Sequence, residues 1–339
     1  MSRVPVVLVV DGNSLLHRAY HAAGADGLID RLGRPAWALR GLFGYLARAA
    51  AYLRPDAVLA GFDCPHTSAR KDDYPGYKAH RPEKHPDLVA QIALAPPLLL
   101  DAGIGTVVPP AYEADDVLAS SAALARRAGW RSVLMTSDRD AFALIDDTTS
   151  ILRVRNGGFD NAVLVGAEDL HALCGVHPWQ YRDYAALRGD PSDNLHGVRQ
   201  FGSATAARLL AAFGTVDAAW TALDSGDERA VREAVGDIAA ARLAAPGVRD
   251  LVERNRRLMR MRTDLPLPDL GTVRLPLRLA TMRTALRRHD INLGPSLWAL
   301  TGGAPPIDSP DAVPELRRWA FRGGLAARRE PTPGQLALF

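Results

Sequence analysis

The chain has 339 residues, 47% of them hydrophobic and 23% charged, with a net charge of +3 and a pI near 9.0. This is the composition of a globular protein with room for one large domain or two smaller ones, and its mild basic excess permits a nucleic-acid partner without requiring one. Cys64 and Cys174 lie far apart in no paired motif, which argues against a disulfide framework and a zinc site, and no apolar stretch reaches membrane-spanning length.

The first predicted element is a buried strand over Val4–Val10, ending at Asp11. It lacks the basic leader and small-residue cleavage site of a signal peptide, so a cytoplasmic, reduced protein is expected. A helical stretch, "AWALRGLFGYLARAAAYL", leads to a second strand over Ala57–Phe62, followed by Asp63. Next comes "ARKDDYPGYKAHRPEK", which holds Lys71, Lys78 and Lys84, the only lysines among 41 Lys and Arg residues. Such clustering in an arginine-rich chain suggests positions where a compact, mobile ammonium is wanted. Pro109 and Pro110 precede "AYEADDVLAS", a helix start carrying Glu113, Asp115 and Asp116. A third strand, Ser132–Thr136, runs into Asp138 and Asp140. From about Pro178 the chain reads as helical and arginine-rich, with turns at "GDPSDN" and "FGSATA"; a proline-rich stretch, a short basic helix and a loose tail, "EPTPGQLALF", follow.

Strands alternating with helices predict a parallel sheet with crossover helices, whose carboxyl ends share one edge. Asp11, Asp63, Asp138 and Asp140 should converge there, and the helix bearing Glu113, Asp115 and Asp116 should begin on the same side. Acidic residues favour helix N-termini, but one or two would satisfy the dipole. At about 4 Å each like-charged pair costs roughly 4 kcal/mol at an effective dielectric near 20. Seven carboxylates therefore need protons or cations, and all-oxygen ligands select magnesium or manganese.

"VDGNSLLHRAYHA", "GFD", "YKAHRP", "YEADDVLA", "TSDRD" and "LRGDPSDNLHGV" together resemble, in order and spacing, the bacterial 5′ nuclease family: the 5′–3′ exonuclease domain of DNA polymerase I, its stand-alone relatives and, more distantly, flap endonucleases. The resemblance runs from about Val4 to Leu300 and includes "RNRRLMRMRTDLPLP". It implies an α/β fold, a parallel-sheet (PIN-like) nuclease core over 1–177 with an arch at about 66–92. A helical DNA-binding region with a helix–hairpin–helix would occupy 178–265, an extension 266–325 and a flexible tail 326–339.

By the same resemblance, Asp190 and Asp193 join the ligands, although "GDPSDN" alone reads as a turn. Asp11, Asp63, Glu113, Asp115 and Asp116 would form or support one metal site, and Asp138, Asp140, Asp190 and Asp193 the other. The family's chemistry uses two magnesium ions, for which manganese can substitute. Asp63, Asp116, Asp138, Lys78 and Arg81 would be catalytic, with Lys78 and Arg81 stabilising the scissile phosphate. Arg18 and Arg70 match basic DNA-binding positions, and Tyr77 an aromatic one able to stack on a base or simply to pack. In "HGVRQFGSATAARLL", Gly197 and Gly202 match the hairpin that meets a backbone phosphate and a potassium ion. Gln200 stands where the family usually has glycine and Ala204 where it has lysine, so weaker binding is expected. Gln335, Leu336, Leu338 and Phe339 resemble a sliding-clamp binding peptide.

The resemblance implies a monomeric, nucleoid-associated 5′–3′ exonuclease and flap endonuclease acting on DNA and RNA-primed 5′ ends in replication and repair. A phosphatase with an aspartate nucleophile would want an acid at position 13, where Asn13 stands. A non-catalytic binder of branched DNA would tolerate gaps in the acid set, and there are none. A ribonuclease of the related small fold leaves the helical half unexplained.

Overall fold

The computed structural model describes residues 3–23 and 27–306. At its centre is a six-stranded sheet made of β1 (Val6–Asp11), β2 (Ala57–Gly61), β3 (Gly105–Val107), β4 (Arg131–Thr136), β5 (Thr149–Arg155) and β6 (Gly158–Val165). The strand order is β3-β2-β1-β4-β5-β6; the first five run parallel and β6 returns antiparallel to β5. β1 is an unbroken apolar run because helices cover both faces of the sheet. Val7 and Val9 enter one core with Val117 and Leu134, while Leu8 and Val10 enter the other with Phe43 and Ala60.

The helices are α1 (Gly12–Ala23), α2 (Trp37–Leu53), α3 (Ala69–Asp73), α4 (Pro86–Asp101), α5 (Ala114–Arg127), α6 (Ala167–Cys174) and α7 (Tyr181–Arg188). They continue as α8 (Ser203–Phe213), α9 (Val216–Asp224), α10 (Glu228–Val235), α11 (Asp237–Leu243), α12 (Val248–Leu258), α13 (Leu279–Arg287) and α14 (Trp298–Thr301). None of the described helices is long and apolar enough to cross a membrane.

Strand order reverses between β1 and β4, and an open α/β sheet has its crevice at such a point, beyond the carboxyl ends. Asp11 lies opposite Gly61, and Val10 opposite Met135, so the chain leaves β1, β2 and β4 almost flush. The expected boundary at 177/178 is no gap in packing. One apolar core runs from Val117 and Leu134 through Phe142, Tyr181 and Tyr184 to Leu209 and Trp220. The proline-rich stretch after α12 returns to the sheet, where Val58 N–H donates to the Val273 carbonyl at 3.0 Å and Leu275 N–H to that of Asp56 at 2.9 Å. The expected basic helix and the peptide Gln335–Phe339 lie outside the described residues.

Candidate metal centre

Asp11 ends β1 and is 4% exposed. Its Oδ1 accepts the Ser14 N–H at 2.9 Å and its Oδ2 the Thr136 hydroxyl at 2.7 Å. Burial, reinforced by the charge of Asp63, outweighs those donors and pushes the carboxyl up to about 7. Asp63 accepts the N–H of Ala114, the first residue of α5, at 2.9 Å, and its own N–H is held by Asn13 Oδ1 at 3.0 Å. Burial raises its pKa against the pull of the Ala114 amide. Asp11, Asp63, Asp115 and Asp138 line a cavity of about 230 Å³ whose other walls include Lys78 and Arg81.

A second group forms beside it. Asp140 opens a 3-10 turn after β4, and Asp193 ends another, Pro191–Asp193, which Asp190 precedes between the short strands Gly189–Asp190 and Leu195–His196. Oxygens of Asp140, Asp190 and Asp193 lie within 4.8 Å of one another. Burial, then Asp138, Asp190 and Asp193, raises the Asp140 pKa well above the carboxylate range. Asp115 belongs to both groups, since it also lines a narrow crevice with Asp140 and Asp193. Its Oδ1 is buried with no hydrogen-bond partner, and burial, then Asp138 and Asp11, raises its pKa well above the usual value.

The lysine-bearing segment packs down on this site. Lys78 N–H donates to the Asp193 carbonyl at 3.0 Å, and Asn194 Nδ2 to that of Gly76 at 2.8 Å. Lys78 Nζ lies 3.0 Å from both Glu113 oxygens and 3.9 Å from Asp193. Burial opposes its charge, but Glu113 and Asp193 outweigh that and raise its pKa. Its φ of +54° is a left-handed conformation that costs a non-glycine residue roughly 1–2 kcal/mol. Arg81 donates to the Ser192 carbonyl at 3.0 Å and pairs with Asp193.

Several residues take places that the sequence reading did not anticipate. Asp116, fully buried, accepts two bonds from Arg70 at 2.8 and 2.9 Å, the Glu113 N–H at 3.0 Å and the Arg262 N–H at 2.8 Å. Its oxygens are thus taken up in capping α5 and anchoring the segment after α12, not directed at a cation. Arg70, expected on DNA, is spent on Asp116 and on Glu113 at 3.2 Å, and its Nε donates to the Leu258 carbonyl at 2.8 Å. Of the two roles that the sequence left open for Tyr77, packing describes it: it is 3% exposed, with its hydroxyl on Glu113 at 3.1 Å. Arg18 donates to Asn156 at the β5–β6 turn. Arg70→Ala should cost about 3–5 kcal/mol, because fully buried Asp116 loses its only cationic side chain among the described residues, while Glu113 keeps Lys78; the drop in denaturation midpoint checks this.

The hairpin differs too. A Cβ at Gly197 would lie 2.1 Å from the Arg188 backbone, so this glycine serves close packing of the two short strands rather than an open turn. Gly202 caps α8 with open space around it, as a phosphate-facing turn would need. Gln200 has φ +66°, a conformation suited to glycine. Gln200→Gly should therefore stabilise the fold by about 0.5–1 kcal/mol net of the chain entropy that glycine adds, read as a higher urea midpoint.

Other cavity residues were missed. Ser14, Ser137 and His17 line it, and Thr136 and Asn13 orient Asp11 and Asp63. Burial, then Lys84 and neighbouring cations, holds His17 down at about 4, so it is neutral near pH 7. Only their nearness to Asp11 and Asp138 in sequence could have signalled them.

Two family models match the chain: "5′–3′ exonuclease, N-terminal resolvase-like domain" over residues 6–171 and "5′–3′ exonuclease, C-terminal SAM fold" over 176–277. DNA polymerase I of Mycobacterium bovis is 36% identical over 263 residues, 78% of this chain and 28% of the relative, so the chain spans less than a third of that protein's length. Among solved structures, T5 5′-exonuclease with divalent metal ions (zinc) bound superposes with a TM-score of 0.58 at 21% identity, covering 75% of this chain and 89% of that one. The catalytic core of Rad2 in complex with DNA substrate gives 0.54 at 15% identity, covering 88% and 92%. Both share the fold: a mostly parallel sheet with a helical region appended.

Proposed function

The chain belongs to the 5′–3′ exonuclease family, and from that premise we propose that it is a metal-dependent 5′ nuclease hydrolysing phosphodiester bonds of DNA. Its substrates are 5′ ends and flaps, RNA-primed ends included, in replication and repair. The observation that carries the reading is Asp115, whose unpartnered buried oxygen stands between the two carboxylate groups. Buried carboxylates in such number, with only oxygen donors beside them, fit hard divalent ions, magnesium with manganese able to substitute.

Asp11, Asp63, Glu113 and Asp115 would hold one ion, and Asp115, Asp138, Asp140, Asp190 and Asp193 the other, with Asp116 positioning α5. Bound ions would supply an activated water and stabilise the leaving oxygen. Thr136 and Ser14 orient Asp11, and the Ala114 amide and Asn13 orient Asp63 and its backbone, so the donor set is preorganised. Lys78 and Arg81 neutralise Glu113 and Asp193 at rest, and on the same cavity wall they can turn to a phosphate. The N-terminus of α8 behind Gly202 would take a phosphate of the duplex, with potassium weakly held because Gln200 and Ala204 replace the family's residues. The same reading includes a monomer in the cytoplasm at the nucleoid, recruited to a sliding clamp by Gln335, Leu336, Leu338 and Phe339.

Cleavage of a 5′-flap duplex in magnesium tests it. The protein should cut near the flap junction, and Asp138→Ala should lose at least about a hundredfold in rate while still binding the flap in calcium. Binding without cutting, in magnesium and in manganese alike, would leave a non-catalytic binder of branched DNA.

A further inference from the structure

Beyond the carboxylates, a groove of about 860 Å³ runs between the 3-10 turn Pro178–Gln180 and the segment after α12. Its apolar lining includes Ala143, Leu144, Met259 and Met261. Arg182, Arg260 and Arg262 reach into it, against one acid, Asp264, which Arg262 engages at 2.6 Å. Among the described residues, neither Arg182 nor Arg260 is paired with a carboxylate. Trp179 stands at its edge with 65% of its surface exposed, whereas the other described tryptophans are buried or half-buried. The Trp179 ring is parallel to that of His177 within 4°, centroids 6.3 Å apart, and His177 stacks on His171 at 4.6 Å.

This row of rings is built rigidly. Gln180, 4% exposed, donates to the carbonyls of Leu210 at 2.8 Å and Gly214 at 2.9 Å, and accepts the His177 N–H at 3.0 Å. Trp179 is thereby held between residues locked to the end of α8, at little entropic cost to any ligand that stacks on it.

We propose that this groove binds an extended single strand of nucleic acid, with an unpaired base on Trp179 and phosphates on Arg182 and Arg260. Exposed aromatic faces beside cationic side chains suit that polymer, since every base offers a π-face and every linkage a charge. A duplex does not fit the description, because its base faces are already stacked. Met259 and Met261 also line the crevice that holds Asp115, Asp140 and Asp193, so the inner end of the groove adjoins the second carboxylate group. The inference rests on the nuclease reading for the strand's origin, but its test needs no cleavage.

The affinity of a fluorescent oligothymidylate is measured by anisotropy in chelator, where metal-dependent cutting cannot occur. Trp179→Ala should weaken binding about tenfold, Trp179→Phe should restore most of it, and Arg182→Ala with Arg260→Ala should weaken it and flatten its salt dependence. An oligonucleotide carrying 5-iodouracil should cross-link to the Trp179 peptide. Unchanged affinity in all variants, with cross-links elsewhere only, overturns the proposal. So does displacement of nothing but a peptide of residues 331–339 from the groove, which would make it a protein-docking surface. Oligonucleotide binding lost in Trp179→Ala by a protein that never cuts a flap would uphold the groove and sink the nuclease reading alone.

Discussion

Asp115→Asn should lower the single-turnover cleavage rate roughly a thousandfold with little loss of fold or of flap binding in calcium. The substitution is isosteric and removes one charge from the carboxylate that faces both groups. Its Oδ1 has no hydrogen-bond partner to lose, and burial with Asp138 and Asp11 already disfavours its ionised form. The metal-free variant should therefore be at least as stable as the parent. Asp116→Asn, one residue along, should do the opposite: it breaks the paired bonds from Arg70 and shows first as a lower denaturation midpoint. Cutting by Asp115→Asn within about tenfold of the parent, in a regime where tenfold is about 1.4 kcal/mol of barrier, would remove Asp115 as the shared ligand. The two neighbours are separated by which property fails first.

That contrast marks where the sequence stops being readable. Successive helical residues point about 100° apart, so Asp115 and Asp116 aim in different directions, but the sequence does not say which one faces the site. Which of them does is fixed by Arg70 and the Arg262 amide, arriving from 46 and 146 residues away. The strand ends were legible because β1, β2 and β4 are apolar runs cut off by aspartate, and parallel connection brings such ends to one edge. β3 went unread because three residues carry no period. β5, "TSILRVR", interleaves arginine with its apolar residues, and the antiparallel return of β6 is a tertiary choice. Asp190 behaves locally as the turn its sequence suggests, its Oδ1 accepting the Ser192 N–H at 2.7 Å. Only the resemblance to the nuclease family directed attention to it, and only the fold sets it beside Asp140. For Tyr77 the sequence leaves base stacking and packing equally open; its burial depends on Leu195 and Leu258, which no local pattern could supply.

The metal-free protein should lose stability as pH rises from about 4 to about 7, and magnesium should abolish most of that loss. Asp11 carries the argument, because its carboxyl is pushed up to about 7 from an ordinary 3.8 by burial and by Asp63. A folded-state pKa above the unfolded one means that the native protein holds the proton more tightly. The stability this contributes is complete below pH 4 and is lost as pH climbs through 7. The interval from 3.8 to about 7 corresponds to about 4 kcal/mol. Asp63, Asp115 and Asp140 are raised by the same burial and crowding and act in the same direction. Asp30 works oppositely: Arg34 overcomes burial and holds it at about 2, so its contribution is lost only in stronger acid, outside this window. A divalent ion takes over the proton's role of cancelling charge, and by binding only the folded state it adds stability of its own. Urea midpoints across this range, in chelator and in magnesium, supply the comparison, with Asp11→Asn as the internal control. That variant should flatten the slope in chelator and be more stable than the parent near pH 8, although it should cut no DNA. A metal-free parent as stable at pH 8 as at pH 5 would mean that the carboxylates are satisfied without a cation, and the two-ion reading would lose its physical basis.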